Sequence, residues 1–155
     1  MEIENKIPKS CKVVVIGGGV AGCSTAYHLA KYGWKDTVLL ERDVLTSGTT
    51  WHAAGLIGQL GSSATITKLR NYSLNLYKRL EEETGLSTGL KQNGSLTVAT
   101  TLDRLEELKR QLTFAQRFDI EARQVSNEEI KEIYPLINTE DLVGGVFIKK
   151  DGQAD

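Results

Sequence analysis

Val13-Val14-Val15-Ile16-Gly17-Gly18-Gly19-Val20-Ala21-Gly22, then an apolar helix pattern, then Thr37-Val38-Leu39-Leu40-Glu41, is the stretch that decides the fold. Four successive β-branched residues read as a parallel strand buried on both faces. Gly17 lets the chain turn tightly out of that strand, Gly19 leaves room for a pyrophosphate against the backbone, and Gly22 lets the following helix lie close to the sheet. The helix is expected over 20–32, with Ala21, Ala26, Leu29 and Ala30 as its packing face and Gly33 as its stop. Its N-terminal amides, Val20 and Ala21 among them, and the positive end of its dipole suit a pyrophosphate. Glu41 follows Gly22 by nineteen residues, at the end of a second strand. A carboxylate there accepts hydrogen bonds from a ribose 2′-hydroxyl and repels a 2′-phosphate, which leaves FAD or NAD and disfavours NADP. A glycine turn alone is common; the strand before it, the helix after it and the acid at this distance make the dinucleotide reading specific.

Composition narrows the partners. The chain has 155 residues, 40% of them apolar and 25% charged, which is enough for a globular core. Nineteen basic and twenty acidic residues give a net charge of -1, so no basic field is present to recruit nucleic acid or anionic lipid. No apolar run approaches the ~20 residues that span a bilayer, and no membrane partner is expected. Residues 1–12 carry Glu2, Glu4 and three lysines without a hydrophobic segment, and read as a short tail; cytoplasmic location is the default expectation. Cys11 and Cys23 have neither CxxC nor CxxH context and are expected to be reduced thiols. His28, inside the first helix, has no Cys, His or Asp neighbour in sequence and reads as a packing residue.

The segment from Arg42 to Gly61 changes character. Thr46-Ser47-Gly48-Thr49-Thr50-Trp51-His52-Ala53-Ala54-Gly55 gathers four hydroxyls and small residues around a Trp-His pair. It is too glycine-rich for a helix interior and too irregular for a strand, so a loop is expected at the carboxyl end of the second strand, where open α/β sheets bind ligands. Its hydroxyls and free amides suit phosphate or flavin oxygens. His52 is the histidine placed to touch a cofactor; taken alone, the Trp-His pair could equally cap a turn.

These runs, together with Tyr27-His28-Leu29-Ala30, Leu39-Leu40-Glu41-Arg42, Leu80 to Gly85, Gln92 to Leu96, Tyr134-Pro135-Leu136 and Asp151-Gly152, resemble the amino terminus of the sarcosine and dimethylglycine dehydrogenase family. Those enzymes are FAD-dependent members of the glycine-oxidase-like superfamily. The Thr-Trp-His-Ala-Ala-Gly block is the specific part of the likeness. The resemblance implies a flavin bonded through its 8α-carbon to His52, with Gly17, Gly19, Val20, Ala21, Gly22, Glu41, Arg42, Ser47, Gly48, Thr49, Thr50, Trp51, Ala54 and Gly55 around the cofactor. It further implies oxidation of the N-methyl group of sarcosine, dimethylglycine or a similar amine by hydride transfer to the flavin. Formaldehyde or a tetrahydrofolate adduct would be the one-carbon product, and an acceptor such as an electron-transfer flavoprotein would take the electrons. The hydroxyl-rich run of residues 46–50 and Gln92-Asn93-Gly94 lean toward the sarcosine members. Two alternatives are carried: a non-catalytic relative of the pyruvate dehydrogenase phosphatase regulatory subunit type, which lacks the Trp-His pair, and an NAD-dependent dehydrogenase, which would need no histidine in the 46–55 loop.

Further along, a helix over 65–84 is expected with Ile66, Leu69, Leu76 and Leu80 near one face, a start at Ser63 or Ala64 and a stop at Gly85. Tyr72 and Tyr77 edge that stripe. Glu81-Glu82-Glu83 should fray or be held by tertiary contacts, since acids sit poorly at a helix C-terminus; no metal partners accompany them. A turn at Gln92-Asn93-Gly94 leads into a strand over 95–99. Leu105, Leu108, Leu112, Ala115 and Phe118 mark an amphipathic helix over 102–118. Ser126 and Glu129 form a capping box for a helix over 127–134 that Pro135 stops, and a last strand covers 143–148.

The expected architecture is thus α/β: a Rossmann-like FAD-binding βαβ unit with its flavin loop over 13–61, then the start of an α+β substrate-side region over 62–155. Family members continue beyond this point, so the chain reads as an amino-terminal piece of an incomplete domain, with catalytic and substrate-carboxylate residues expected beyond Asp155. With one βαβ unit and no third core strand, the piece alone is expected neither to hold FAD tightly nor to turn over.

Overall fold

The computed structural model describes residues 8–154; the first seven residues of the expected tail, and Asp155, lie outside the described residues. The chain is α/β and divides into two compact units, the first ending at Ala54 and the second beginning at Gly55.

In the first unit β1 (Val13–Ile16) and β2 (Thr37–Leu40) pair in parallel, with Val13 opposite Thr37 and Ile16 opposite Leu40. The crossover is α1 (Val20–Lys31). Tyr32 caps α1, and Gly33 leaves it at φ +86°, the left-handed conformation that glycine adopts without Cβ strain. His28 and Lys31 place basic side chains in its last turn, where the dipole favours them. His28 Nδ1 lies 2.7 Å from the Ser24 carbonyl within the same helix. Cys11 and Cys23 are both free thiols, half-buried.

The expectation that β1 is buried on both faces is corrected: Val14 is 49% and Ile16 86% exposed. The physical reason is the sheet itself. Among the described residues β1 has β2 as its strand partner in a two-stranded sheet, so alternate side chains of the β-branched run have nothing to pack against.

The second unit starts with β3 (Leu56–Ile57), then α2 (Ala64–Thr84), β4 (Ser95–Ala99), α3 (Leu102–Gln116), β5 (Ala122–Val125), α4 (Asn127–Ile133), β6 (Gly144–Ile148) and β7 (Gly152–Gln153). An antiparallel sheet runs in the order β4-β6-β5. The two-residue period of β6 sorts its side chains. Val146 and Ile148 pack with Ala99, Leu105, Leu108 and Ala115 in one core, whereas Phe147 packs on a second core of Val125, Ile130 and Leu142. Helix starts are fixed by side chains: Ser63 accepts from the Ile66 amide, Thr101 from the Arg104 amide, and Ser126 and Glu129 complete the expected capping box.

α2 keeps part of the expected stripe, with Leu76 buried and Leu80 half-buried, and departs from it elsewhere. Thr67, Leu74 and Leu76 are buried, while Leu69 is 59% exposed and Ile66 also faces out. A polar tie turns the helix: the Thr67 hydroxyl accepts from the Gly61 amide at 3.1 Å, so a threonine takes the inward position. The acidic end is helical to Thr84. Gly85 caps it in the left-handed region, and Arg79 pairs with Glu83 at 3.5 Å.

β3, β5 and β7 were not expected from sequence. β3 and β7 pair antiparallel, Leu56 opposite Gln153, and the Ala154 amide donates to the Gly55 carbonyl at 2.8 Å. Asp151, only 4% exposed, holds this seam. Its carboxylate accepts from the Gln59 amide at 2.8 Å and the Ser95 hydroxyl at 2.7 Å, and its carbonyl accepts from the Gly94 amide. A buried carboxylate with several donors is the satisfied arrangement such burial requires.

Candidate functional site

The glycine turn is built by steric necessity. Gly17 sits at φ +102°, which excludes an ordinary side chain. A methyl group on Gly22 would overlap the Gly17 carbonyl oxygen, so this is where α1 meets the turn. Gly19 occupies the N-cap of α1 and offers no side-chain cap. Thr50 supplies one instead: the Val20 amide donates to Thr50 Oγ1 at 2.9 Å.

Glu41 lies just past β2 and turns its carboxylate back to the turn. The Gly18 amide donates to Oε2 at 2.6 Å and the Asp43 amide to Oε1 at 3.1 Å. These donors, Gly18 foremost, hold the Glu41 carboxyl below the ordinary carboxylate range. Each oxygen keeps a further lone pair for hydroxyl donors. The folded first unit therefore favours ionised Glu41 more than the unfolded chain does. That stability is present in full at neutral pH and is lost as pH falls below the usual glutamate range. Both tryptophans, Trp34 and Trp51, lie in the first unit. Tryptophan-detected urea melts from about pH 7 down to about pH 3 should show the unfolding midpoint falling with acid, and Glu41→Gln should flatten that fall.

The expected loop contains a single 3-10 turn, Thr49–His52, between irregular stretches. Hydrogen bonds internal to the segment make the turn: the Trp51 amide donates to the Thr46 and Gly48 carbonyls, and the Ala53 amide to the Thr50 carbonyl. The glycine content argues against a helix interior, and a four-residue turn has none. His52 is exposed, with Nδ1 3.1 Å from the Gly48 carbonyl. A carbonyl can only accept, so that contact selects the tautomer with hydrogen on Nδ1 and leaves the Nε2 lone pair free.

These parts enclose a groove of about 500 Å³ lined by Gly17, Gly19, Glu41, Arg42, Ser47, Gly48, Thr49 and Thr50, with Ile16, Leu40 and Asp43 completing the wall. Val20, Ala21 and Gly22 stand behind it in the first turn of α1. Trp51, 77% exposed, His52 and Ala54 follow the groove in the chain without lining it. Gly55 falls in the second unit, where its φ of +69° and the pairing with Ala154 account for the glycine. Sequence reading missed Asp43 and the backbone role of Thr46. Thr46 adopts φ +68°, rare for a threonine, and its amide donates to the Gly18 carbonyl at 2.9 Å. No sequence signal marks that conformation, whereas Asp43 after Glu41-Arg42 carries the ordinary signature of an Asx turn.

The donor set fits the ADP half of a dinucleotide. The N-terminus of α1, the hydroxyls of Ser47, Thr49 and Thr50, and an ionised acid converge on one groove. Among the described residues no helix is long and apolar enough to cross a membrane, and no cluster of His, Cys, Asp or Glu is arranged to hold a metal ion.

Residues 12–155 match the model of the DAO family, FAD dependent oxidoreductase. The mitochondrial sarcosine dehydrogenase of Homo sapiens is 47% identical over 96% of this chain, and the mitochondrial dimethylglycine dehydrogenase of Rattus norvegicus 44% identical over 93%. The chain spans 16% and 17% of the lengths of those two relatives. Among solved structures, L-proline dehydrogenase from P. horikoshii superposes with a TM-score of 0.89 at 30% identity, over 96% of this chain and 39% of that one.

Proposed function

Because this chain belongs to the DAO family of FAD-dependent oxidoreductases, we propose that its first unit holds the ADP half of FAD in an enzyme oxidising the N-methyl group of sarcosine, dimethylglycine or a similar amine. The observation that carries the reading is the convergence of the α1 N-terminus, ionised Glu41 and the Thr49–His52 turn around one groove. Similarity to the sarcosine and dimethylglycine dehydrogenases supports the substrate class.

In this reading each residue has a physical task. The first-turn amides of α1 and the hydroxyls of Ser47, Thr49 and Thr50 offset the pyrophosphate charge. Glu41 receives the ribose hydroxyls and repels a 2′-phosphate, which selects FAD over phosphorylated dinucleotides. Gly17 and Gly22 keep the turn and helix close enough for both. His52, with its Nε2 lone pair free, is the attachment point that makes the flavin permanent. Bound FAD supplies the oxidising power: it takes two electrons and a hydrogen from the amine's methyl carbon. An acceptor such as an electron-transfer flavoprotein, and tetrahydrofolate for the one-carbon unit, belong to the whole protein.

Anaerobic addition of sarcosine or dimethylglycine to the whole protein should bleach the yellow flavin band within seconds, and N-methyl-free glycine should leave it unchanged. A flavin that stays oxidised with every N-methylated amine tried would sink the enzyme reading and favour a regulatory, cofactor-binding role.

A further inference from the structure

We propose that Thr50 is a positioning residue for flavin attachment: its hydroxyl pins the turn carrying His52 to the N-terminus of α1. The inference deepens the reading of His52 given above and rests on it.

Four residues of 3-10 helix hold few hydrogen bonds of their own and do not fix their place in a fold. Two ties do so here. The Thr46 amide donates to the Gly18 carbonyl at 2.9 Å, and Thr50 Oγ1 accepts from the Val20 amide, thirty residues away, at 2.9 Å. Gly19 provides no side-chain cap, and Thr50 takes the Val20 amide, one of the orphan donors of the first turn. The seat is close-fitting: a Cβ on Gly19 would lie 3.0 Å from Thr50 Oγ1. The middle glycine of the motif therefore makes room for this threonine as well as for a phosphate. From these two points the order passes inward. The Trp51 amide reaches the Thr46 and Gly48 carbonyls, and His52 Nδ1 reaches the Gly48 carbonyl. His52 is thereby tied to the same turn, and the turn to the cradle.

Attachment would join His52 Nε2 to the 8α-carbon of bound FAD: one C–H of the 8-methyl group would break and the Nδ1 proton would leave. The two electrons would reduce the flavin ring, and dioxygen would take both electrons and both protons as hydrogen peroxide. The step needs the nitrogen held near that carbon, and effective concentration is what the Thr50 tie supplies.

The test uses the whole protein purified free of flavin and incubated with FAD in air, with acid-precipitated fluorescence followed over time. Thr50→Val keeps the side-chain shape and removes the hydroxyl. Measured at FAD concentrations that saturate reversible binding, it should slow attachment about tenfold, the factor expected for losing a helix cap. Thr50→Ser should attach at the wild-type rate, a rescue that general packing damage would not give. Thr50→Val attaching as fast as wild type, or Thr50→Ser as slowly as Thr50→Val, overturns the proposal. Should the valine variant not fold, the serine variant decides alone: wild-type rate supports, slow attachment overturns. A wild-type protein with no acid-stable flavin refutes the reading of His52, and the role of Thr50 falls with it.

Discussion

Replacing His52 by alanine is expected to convert the flavin of the whole protein from acid-stable to fully acid-extractable. The wild-type pellet after acid precipitation should be yellow and fluorescent, and the His52→Ala pellet colourless. The effect is all or none because a covalent bond either exists or does not. The ADP contacts survive the substitution: Glu41, Ser47, Thr49 and Thr50 line the groove without help from the imidazole. FAD should thus still bind His52→Ala reversibly and wash out on denaturation. His28, the other histidine, lies within α1 with Nδ1 against the Ser24 carbonyl, and His28→Ala should keep its flavin in the pellet. Flavin retained in the His52→Ala pellet would place the attachment elsewhere; flavin lost from the wild type would end the covalent reading while leaving FAD binding intact.

The second large effect is expected at Gly22→Ala. An alanine methyl there overlaps the Gly17 carbonyl oxygen, which is backbone and cannot swing aside as a side chain does. Helix α1 must then lift from the turn, and the cradle opens. Overpacking of this kind costs about 3 kcal/mol, read as a lower unfolding midpoint than wild type. Gly48→Ala is the control: a methyl group there meets nothing within 4 Å. Its change in stability should stay within about 0.5 kcal/mol, as is usual for open surface sites. Thermal unfolding of the flavin-free protein, followed by tryptophan emission, distinguishes the two. A Gly22→Ala protein as stable as Gly48→Ala would show that the close approach can relax without cost.

Local chemistry made much of the architecture legible. The βαβ order, the Ser63 and Ser126 caps, the Gly33 and Gly85 stops and the strand at 95–99 each rest on residues next to one another in the chain. What stayed hidden depends on partners far away. β3 and β7 are two residues each, too short for any period, and Asp151 is joined to Gln59 across 92 positions. The inward face of α2 is set by Thr67, a polar residue that a count of apolar positions passes over. The exposure of Val14 and Ile16 could not be read from their composition either, because burial of a strand is decided by its neighbours. In the groove, the glycines, Glu41 and the hydroxyls were visible as a motif. The pinning role of Thr50 needed coordinates, since nothing in a threonine reports which amide it meets.

The seam between β3 and β7 also sets an order of events. Leu56 and Gln153 bracket almost the whole second unit, and their strands lie side by side. On a ribosome the segment around Leu56 and Gln59 emerges long before its partners, so it waits unpaired while α2, the β4-β6-β5 sheet and α3 assemble from nearer contacts. Closing so long a loop is entropically unfavourable until that sheet has brought residues 94–95 near residue 151. The seam is thus expected to close late, once Asp151 is in place, and a chain interrupted just before that residue should leave its first strand unpaired.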